Sequence, residues 1–159
     1  MSAGQRPNIF ADEFSVERGG LRGEMVASLA GASALGGTLY ELAPDAEPIP
    51  LHLHHANEEL LLVLAGTPTL RTLDGESELG VGDVVAFPVG RRGAHALLNR
   101  TAAPIRYLIV STKVAPEVVE YPELGTVGVM TRGPFDPPRP GEDPDDLMRV
   151  RFRRDDAIS

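Results

Sequence analysis

The sequence predicts an all-β protein, built as a β-sandwich or a small barrel. Glycine and proline together account for 31 of the 159 residues, well above the roughly 12% of an average protein. Short apolar segments alternate with turn signals along most of the chain, which is typical of many short strands. Helical periodicity is weak, because Gly31 interrupts the best candidate helix at residues 25–35 and Gly23 and Gly36 lie close to its two ends. These observations favour strands joined by turns over a helical bundle.

The strands of the central region follow from the turn residues between them. The Gly36–Gly37 pair precedes the first predicted strand, and proline or aspartate residues follow several of the later strands. The Asp74–Gly75 pair favours a tight hairpin turn. The predicted strands of this region are, in order, 38–42, 49–54, 58–65, 69–73, 76–79, 84–87, 94–98 and 105–111.

The two ends of the chain have a different character. Residues 118–121 and 127–129 predict a terminal hairpin, and residues 147–152 predict a last strand. The segment 135–146 is rich in proline and acidic residues, so it can bury little and is predicted to be a surface tail. The first 20 residues are polar and mixed, which indicates a lead-in arm with a short strand.

These elements fit one structural domain in three parts. We expect an N-terminal arm at residues 1–36 that packs on the barrel, the barrel itself at 37–112, and a C-terminal hairpin with its tail at 113–159. A chain of this length can build one hydrophobic core without covalent staples. The absence of cysteine excludes disulfides, thiolate metal sites and a cysteine nucleophile.

Charge and hydropathy limit the partners. The net charge of −8 argues against nucleic acid or an anionic membrane, because both need a basic surface. Apolar segments are far shorter than the about 20 residues that span a bilayer, and the first residues carry no apolar signal segment. We therefore expect a soluble, cytoplasmic protein without a nucleic-acid or membrane partner.

The histidines form the clearest chemical pattern. Three of the four lie between residues 52 and 55. Alternate side chains of a strand share a face, so His52 and His54 point the same way while His55 points to the other face. Two imidazoles at this spacing can bind one metal ion, and later turns can return His95 to them.

A carboxylate can complete such a site. Either Glu58 or Glu59 can enter it, but not both, because neighbours on a strand point in opposite directions. Nitrogen and carboxylate ligands without sulfur suit Mn, Fe, Ni, Co or Zn. The sequence thus predicts a divalent metal ion of unknown identity.

Residues 50–66 resemble the first motif of the cupin superfamily, in which H-x-H is followed by Glu and then by Gly. Glu59 matches that pattern, since six residues separate it from Gly66, and Glu58 misses it by one.

Residues 82–99 resemble the second cupin motif, with His95 and Asn99 at its end. Four residues, 91–94, stand between Gly90 and His95 where the motif usually has two. The resemblance covers roughly residues 37–112, about half of the chain.

The resemblance implies a cupin-type double-stranded β-helix, or jelly-roll barrel, that holds a metal ion through His52, His54, Glu59 and His95. Four protein ligands leave open positions on a six-coordinate ion, and open positions are typical of catalytic metals. Glu59 could also act as a catalytic base if it left the metal. A homodimer is expected, because barrels of this family often pair through edge strands of N-terminal arms.

Three functions are consistent with this sequence. The first is a metal-dependent small-molecule enzyme, possibly dioxygenase-like, because the predicted barrel strands offer few charges for a polar substrate. An oxidoreductase is favoured over the second, a Lewis-acid isomerase, decarboxylase or lyase. The third is a metal- or ligand-binding module without turnover.

Overall fold

Short antiparallel strands are the main regular structure of the protein, which the computed structural model describes for residues 6–46, 49–131 and 150–153, the last segment by its backbone alone. One helical turn, α1 (Val26–Leu29), and one 3-10 turn, Arg91–Gly93, interrupt them. The strands are β1 (Val16–Arg18), β2 (Leu21–Glu24), β3 (Leu35–Leu42), β4 (Leu53–His54), β5 (Glu59–Ala65), β6 (Thr69–Thr72), β7 (Gly75–Glu78), β8 (Val84–Phe87), β9 (Ala96–Leu98), β10 (Ile105–Thr112), β11 (Glu117–Tyr121), β12 (Thr126–Met130) and β13 (Val150–Arg153).

The strands form three antiparallel sheets. The largest has the order β1-β2-β3-β10-β5-β8, and the two smaller ones have the orders β13-β12-β11-β4 and β7-β6-β9. A β-bridge between His52 and His95 joins the two smaller sheets, because these residues lie directly before β4 and β9. The molecule therefore has a large sheet and a second, composite layer.

The hydrophobic core lies between the large sheet and the β6–β9 part of the composite layer. Alternate residues of β5 and β10 point inward, as the pleat of a strand requires. Outward positions of the same strands are more exposed. The buried core residues are Leu42, Leu61, Val63, Leu70, Phe87, Leu97, Ile105, Tyr107 and Ile109.

The prediction of an all-β fold is confirmed, and most predicted strands lie within a few residues of the observed ones. The main difference concerns residues 49–54, where only Leu53 and His54 form a strand. Pro50 has no N–H to donate to a neighbouring strand, and its carbonyl accepts a bond from the His52 side chain instead. The candidate helix at 25–35 is reduced to the single turn α1.

The ends of the chain extend the sheets. The β1–β2 hairpin adds to the large sheet along β3, and β11 and β12 form the predicted terminal hairpin. The described part of the predicted last strand is β13, which pairs with β12. The predicted tail at 135–146 lies outside the described residues, and the domain boundaries at 36 and 112 stay predictions. In the described part of the chain, no helix has the length and apolarity needed to cross a bilayer.

Candidate metal centre

The backbone holds His52 and His95 side by side. The N–H of each residue donates to the carbonyl of the other, at N···O distances of 3.1 and 2.9 Å. Their rings lie 4.5 Å apart, measured between centroids. The Phe87 ring stacks on His95 at 3.8 Å, with an angle of 5° between the planes. Two imidazoles from distant parts of the sequence are thus fixed at one place.

Hydrogen bonds also define which ring nitrogen is free. Nδ1 of His52 lies 2.9 Å from the Pro50 carbonyl oxygen, and Nδ1 of His95 lies 2.8 Å from that of Gly93. A carbonyl can only accept, so Nδ1 must carry the proton in both rings. Nε2 of each ring therefore has a free lone pair, which is the form that binds a metal.

Glu59, the first residue of β5, brings a carboxylate to these rings. Its Oε2 lies 3.2 Å from Nε2 of His95 and 3.4 Å from Nε2 of His54. His52, His54 and Glu59 each offer a ligand atom, and these atoms all lie within 4.8 Å of one another. This cluster could hold a metal ion.

Several polar atoms of the cluster are buried without a hydrogen-bond partner among the described residues: both ring nitrogens of His54 and Oε2 of Glu59. Buried polar atoms normally find partners. Unpartnered nitrogen and oxygen donors that face each other are what a divalent cation requires, so the residues present fit such an ion.

The pKa values describe the same charge distribution. Burial lowers the pKa of His52 to about 4, with contributions from His95 and His54, so His52 is neutral at pH 7. Burial alone would raise the pKa of Glu59, but His54 and His95 outweigh it and lower this pKa well below its usual range. Glu59 is therefore an anion.

His54 behaves differently from the other two rings. Burial alone would lower its pKa, but the carboxylates of Glu117 and Glu59 outweigh this and raise the pKa to about 9. The place between these carboxylates thus favours a positive charge, which a metal ion would also supply.

The fold resembles that of known proteins. The cupin domain family model matches residues 38–111. The chain is similar to a sugar phosphate isomerase from a cupin superfamily of Silicibacter pomeroyi, whose crystal structure is known. The two sequences are 26% identical, and the match covers 89% of this chain and 86% of the isomerase chain, with a TM-score of 0.70. Residues 38–111 of this chain therefore form a domain of the cupin superfamily. The predicted family and the predicted cupin-type fold are confirmed.

Other solved structures share the fold of this cupin. The polyketide cyclase RemF from Streptomyces resistomycificus is 24% identical, with 58% of this chain and 65% of its own covered and a TM-score of 0.52. A Cupin 2 conserved barrel domain protein from Salinispora arenicola is 21% identical, with 65% and 83% covered and a TM-score of 0.53. Among curated protein sequences, none matches this cupin.

A cavity of about 50 Å³ lies beside the cluster, room for one or two water molecules at about 30 Å³ each. Burial, with the Glu59 charge, raises the pKa of Tyr40 to about 12, and burial also raises the pKa of Tyr107. Both phenols are therefore neutral and can donate hydrogen bonds. The lining residues are Tyr40, Ile49, His52, Glu59, His95, Ala96, Leu97, Tyr107 and Ile109.

The remaining residues considered from the sequence lie away from this cavity. Glu58 is exposed, and His55 faces outward with its Nε2 3.2 Å from the Glu120 carboxylate. The buried Asn99 donates to the Leu42 and Ala103 carbonyls and so ties a turn to β3.

Glu117 was not among the site residues predicted from the sequence. Its carboxylate is buried, with 5% of the residue exposed, and Oε2 lies 3.6 Å from Nδ1 of His54. A signal was present, because Glu117 shares a strand face with the apolar Val119 and would be buried with it. The alternation of buried and exposed residues along β11 does not indicate which side chain that carboxylate contacts.

Proposed function

We propose that this cupin is a small-molecule enzyme that depends on a divalent metal ion held by His52, His54, Glu59 and His95. The observation that carries the proposal is the convergence of ligand atoms from His52, His54 and Glu59 within 4.8 Å of one another, with those of His54 and Glu59 buried without a hydrogen-bond partner among the described residues. Nε2 of His95 lies 3.2 Å from the same Glu59 oxygen, so this ring can join them.

The bound ion would act as a Lewis acid that polarises an oxygen of the substrate. His52 and His95 contribute neutral rings whose orientation the Pro50 and Gly93 carbonyls maintain. Glu59 contributes the negative charge. The histidines that keep it ionised also make it a weak base, so we assign Glu59 as a ligand in preference to the catalytic base considered from the sequence.

For the reaction, we propose isomerisation of a small hydroxycarbonyl compound, in which a proton moves between neighbouring atoms without net oxidation. The similarity to a sugar phosphate isomerase over 89% of the chain supports this class. The described cavity lining includes no Lys or Arg side chain, so an uncharged substrate suits it better than a phosphorylated one. The neutral phenols of Tyr40 and Tyr107 can donate hydrogen bonds to its oxygens.

An oxygenase is the second candidate function, and the walls of the cavity favour it. Ile49, Leu97 and Ile109 form an apolar part of the wall beside Glu59, which suits O₂ and an apolar or aromatic substrate that binds the metal. Isomerase and oxygenase differ in their need for oxygen, so an experiment can separate them.

The first test measures metal binding. Zinc titration of the chelator-treated protein should give saturable binding that His54→Ala abolishes at concentrations that saturate the wild type. His55→Ala is the matched control, since this adjacent histidine faces outward, and it should bind zinc as the wild type does. Equal binding by wild type and His54→Ala would contradict the ligand set.

The second test measures turnover. The protein loaded with Fe, Mn, Co, Ni or Zn is incubated with small hydroxycarbonyl, diketone and phenolic compounds, in air and without oxygen. We expect interconversion of hydroxycarbonyl isomers at equal rates in both atmospheres. Turnover that consumes oxygen would support the oxygenase, and metal binding without any turnover would support a binding module.

We also propose that the protein is a cytoplasmic homodimer. Strand β1 is an edge of the large sheet, and among the described residues no other strand pairs with its outer side. Such an edge can accept a strand from a second copy. The absence of cysteine is in keeping with a reducing compartment. Light scattering coupled to gel filtration should give twice the mass of the chain, and a monomer mass would contradict the dimer.

A further inference from the structure

The three histidines of the proposed metal centre differ in what holds their second ring nitrogen. Backbone carbonyls accept from Nδ1 of His52 and of His95. Nδ1 of His54 instead faces a carboxylate, that of Glu117, at 3.6 Å, an ion-pair distance without a hydrogen bond. Glu117 lies in β11, beyond the end of the matched cupin domain at residue 111.

The Glu117 carboxylate is held in place by many donors. Its Oε1 accepts from the backbone N–H groups of His55 at 3.3 Å, Ala56 at 3.2 Å and its neighbour Val118 at 2.9 Å. Asn57 donates to Oε2, the oxygen that faces His54. The group is thus a buried carboxylate in a fixed orientation.

Asn57 is itself fixed by the segment that leads into β11. Its side-chain N–H donates to the Val114 carbonyl at 2.9 Å, and its Oδ1 accepts from the Val114 N–H at 2.6 Å and the Thr112 hydroxyl at 2.9 Å. A continuous set of hydrogen bonds therefore links this segment, through Asn57, to Glu117. The register of β11 on β4, with Val119 opposite His54, brings Glu117 to the same place.

We propose that Glu117 is the positioning residue of His54, and that the C-terminal hairpin is for this reason part of the metal centre. The proposal rests on the proposed metal site. A carboxylate at Nδ1 keeps the proton on that nitrogen, directs the Nε2 lone pair towards Glu59 and the metal, and makes the ring a stronger ligand. With Glu59, it also supplies the second negative charge that balances a divalent cation.

The test compares Glu117→Gln with Glu120→Gln, using zinc and cobalt ions as probes. Glu120 is the matched control, because it lies on the same strand and pairs with the outward-facing His55 at 3.2 Å. Glu117→Gln should weaken zinc binding about 10- to 100-fold and change the visible absorption spectrum of the cobalt-loaded protein. Glu120→Gln should leave both as in the wild type.

The outcomes separate this proposal from the metal site itself. If Glu117→Gln lowers only the melting temperature, with zinc affinity and cobalt spectrum unchanged, Glu117 has a structural role and the positioning proposal is wrong. If the wild type binds no zinc, the metal site fails, and the positioning role fails with it.

A second measurement needs no Glu117 variant and so does not depend on its folding. In ¹⁵N-histidine NMR of the zinc-loaded wild type, with the His54 signals assigned by their loss in His54→Ala, we expect a protonated Nδ1 and a metal-bound Nε2. A metal-bound Nδ1 in His54 would overturn the proposal.

Discussion

The backbone around Gly93 leaves no room for a side chain. A Cβ atom at this position would lie 1.9 Å from the Pro88 carbonyl oxygen, inside any allowed contact. The Gly93 carbonyl also accepts from Nδ1 of His95. The residues that lengthen the loop before His95 form the 3-10 turn Arg91–Gly93, and its last residue orients the ring. The longer loop is therefore compatible with a ligand role for His95.

Gly93→Ala should destabilise the protein by roughly 2–4 kcal/mol and weaken zinc binding. The added Cβ forces the turn to move, and the residue 93 carbonyl that accepts from Nδ1 of His95 moves with it. Urea unfolding and zinc titration measure the two effects. Gly80→Ala is the control, since a Cβ there meets only an Asp83 carboxylate oxygen at 3.9 Å, and it should change little. Equal stability of the two variants would contradict this explanation.

The N-terminal hairpin is attached to the large sheet by an ionic cluster on the outer surface. Glu41 on β3 accepts from Arg22 on β2 and from Arg106 on β10, with Nε–O distances of 3.1 Å in both pairs. Phe14 packs against both guanidinium groups, whose carbon atoms lie 4.3 and 5.3 Å from the ring centroid. Arg106 also donates to the Ala11 carbonyl. Arg106 therefore fixes the arm and does not reach the cavity.

This cluster should make stability depend on pH. Burial alone would raise the pKa of Glu41, but Arg106 and Arg22 outweigh it, so this pKa lies below its value in the unfolded chain. The contribution of Glu41 is then fully present above about pH 4.3 and is lost as the pH falls through the lowered pKa.

Glu41→Gln should therefore lower the free energy of unfolding by roughly 1–3 kcal/mol at pH 7. The difference from the wild type should stay constant down to pH 5 and shrink in more acidic solution. Urea unfolding across this range measures it, with the exposed Glu17→Gln on β1 as control. A difference that grows on acidification would contradict the ionic explanation.

At the scale of the whole molecule, the proposed ligands come from both layers. Glu59 belongs to the large sheet, whereas His52, His54 and His95 lie in or beside the strands of the composite layer. A metal ion that binds all four would connect the layers at the cavity. Since binding requires the folded arrangement, it should add to stability.

Zinc at 100 times its dissociation constant should stabilise the folded protein by about 2.7 kcal/mol, or raise its melting temperature by about 5–10 °C. Thermal unfolding followed by circular dichroism, with and without zinc, checks this. His54→Ala should show little shift and His55→Ala the full shift. A shift of equal size in both variants would point to zinc bound elsewhere.

The sequence predicted the parts of this molecule that depend on local pattern. Turn residues and strand alternation predicted β5 to β10, and the spacing of His52, His54 and Glu59 predicted that their side chains converge. Glu117 could not be assigned a partner, because its contact with His54, 63 positions away in the sequence, depends on the register between β4 and β11. The Arg22–Glu41–Arg106 cluster was missed for the same reason, since three strands must align before these charges meet.

The reciprocal backbone pair between His52 and His95 has a consequence for how this scaffold can change. The spacing of these two rings depends on peptide groups, and peptide groups are unaffected by which side chains line the cavity. A substitution at Ile49, which is not one of the buried core residues, can therefore reshape the cavity while the imidazoles keep their places. In the proposed enzyme, such a change would alter which molecules fit beside the metal without rebuilding its ligand set.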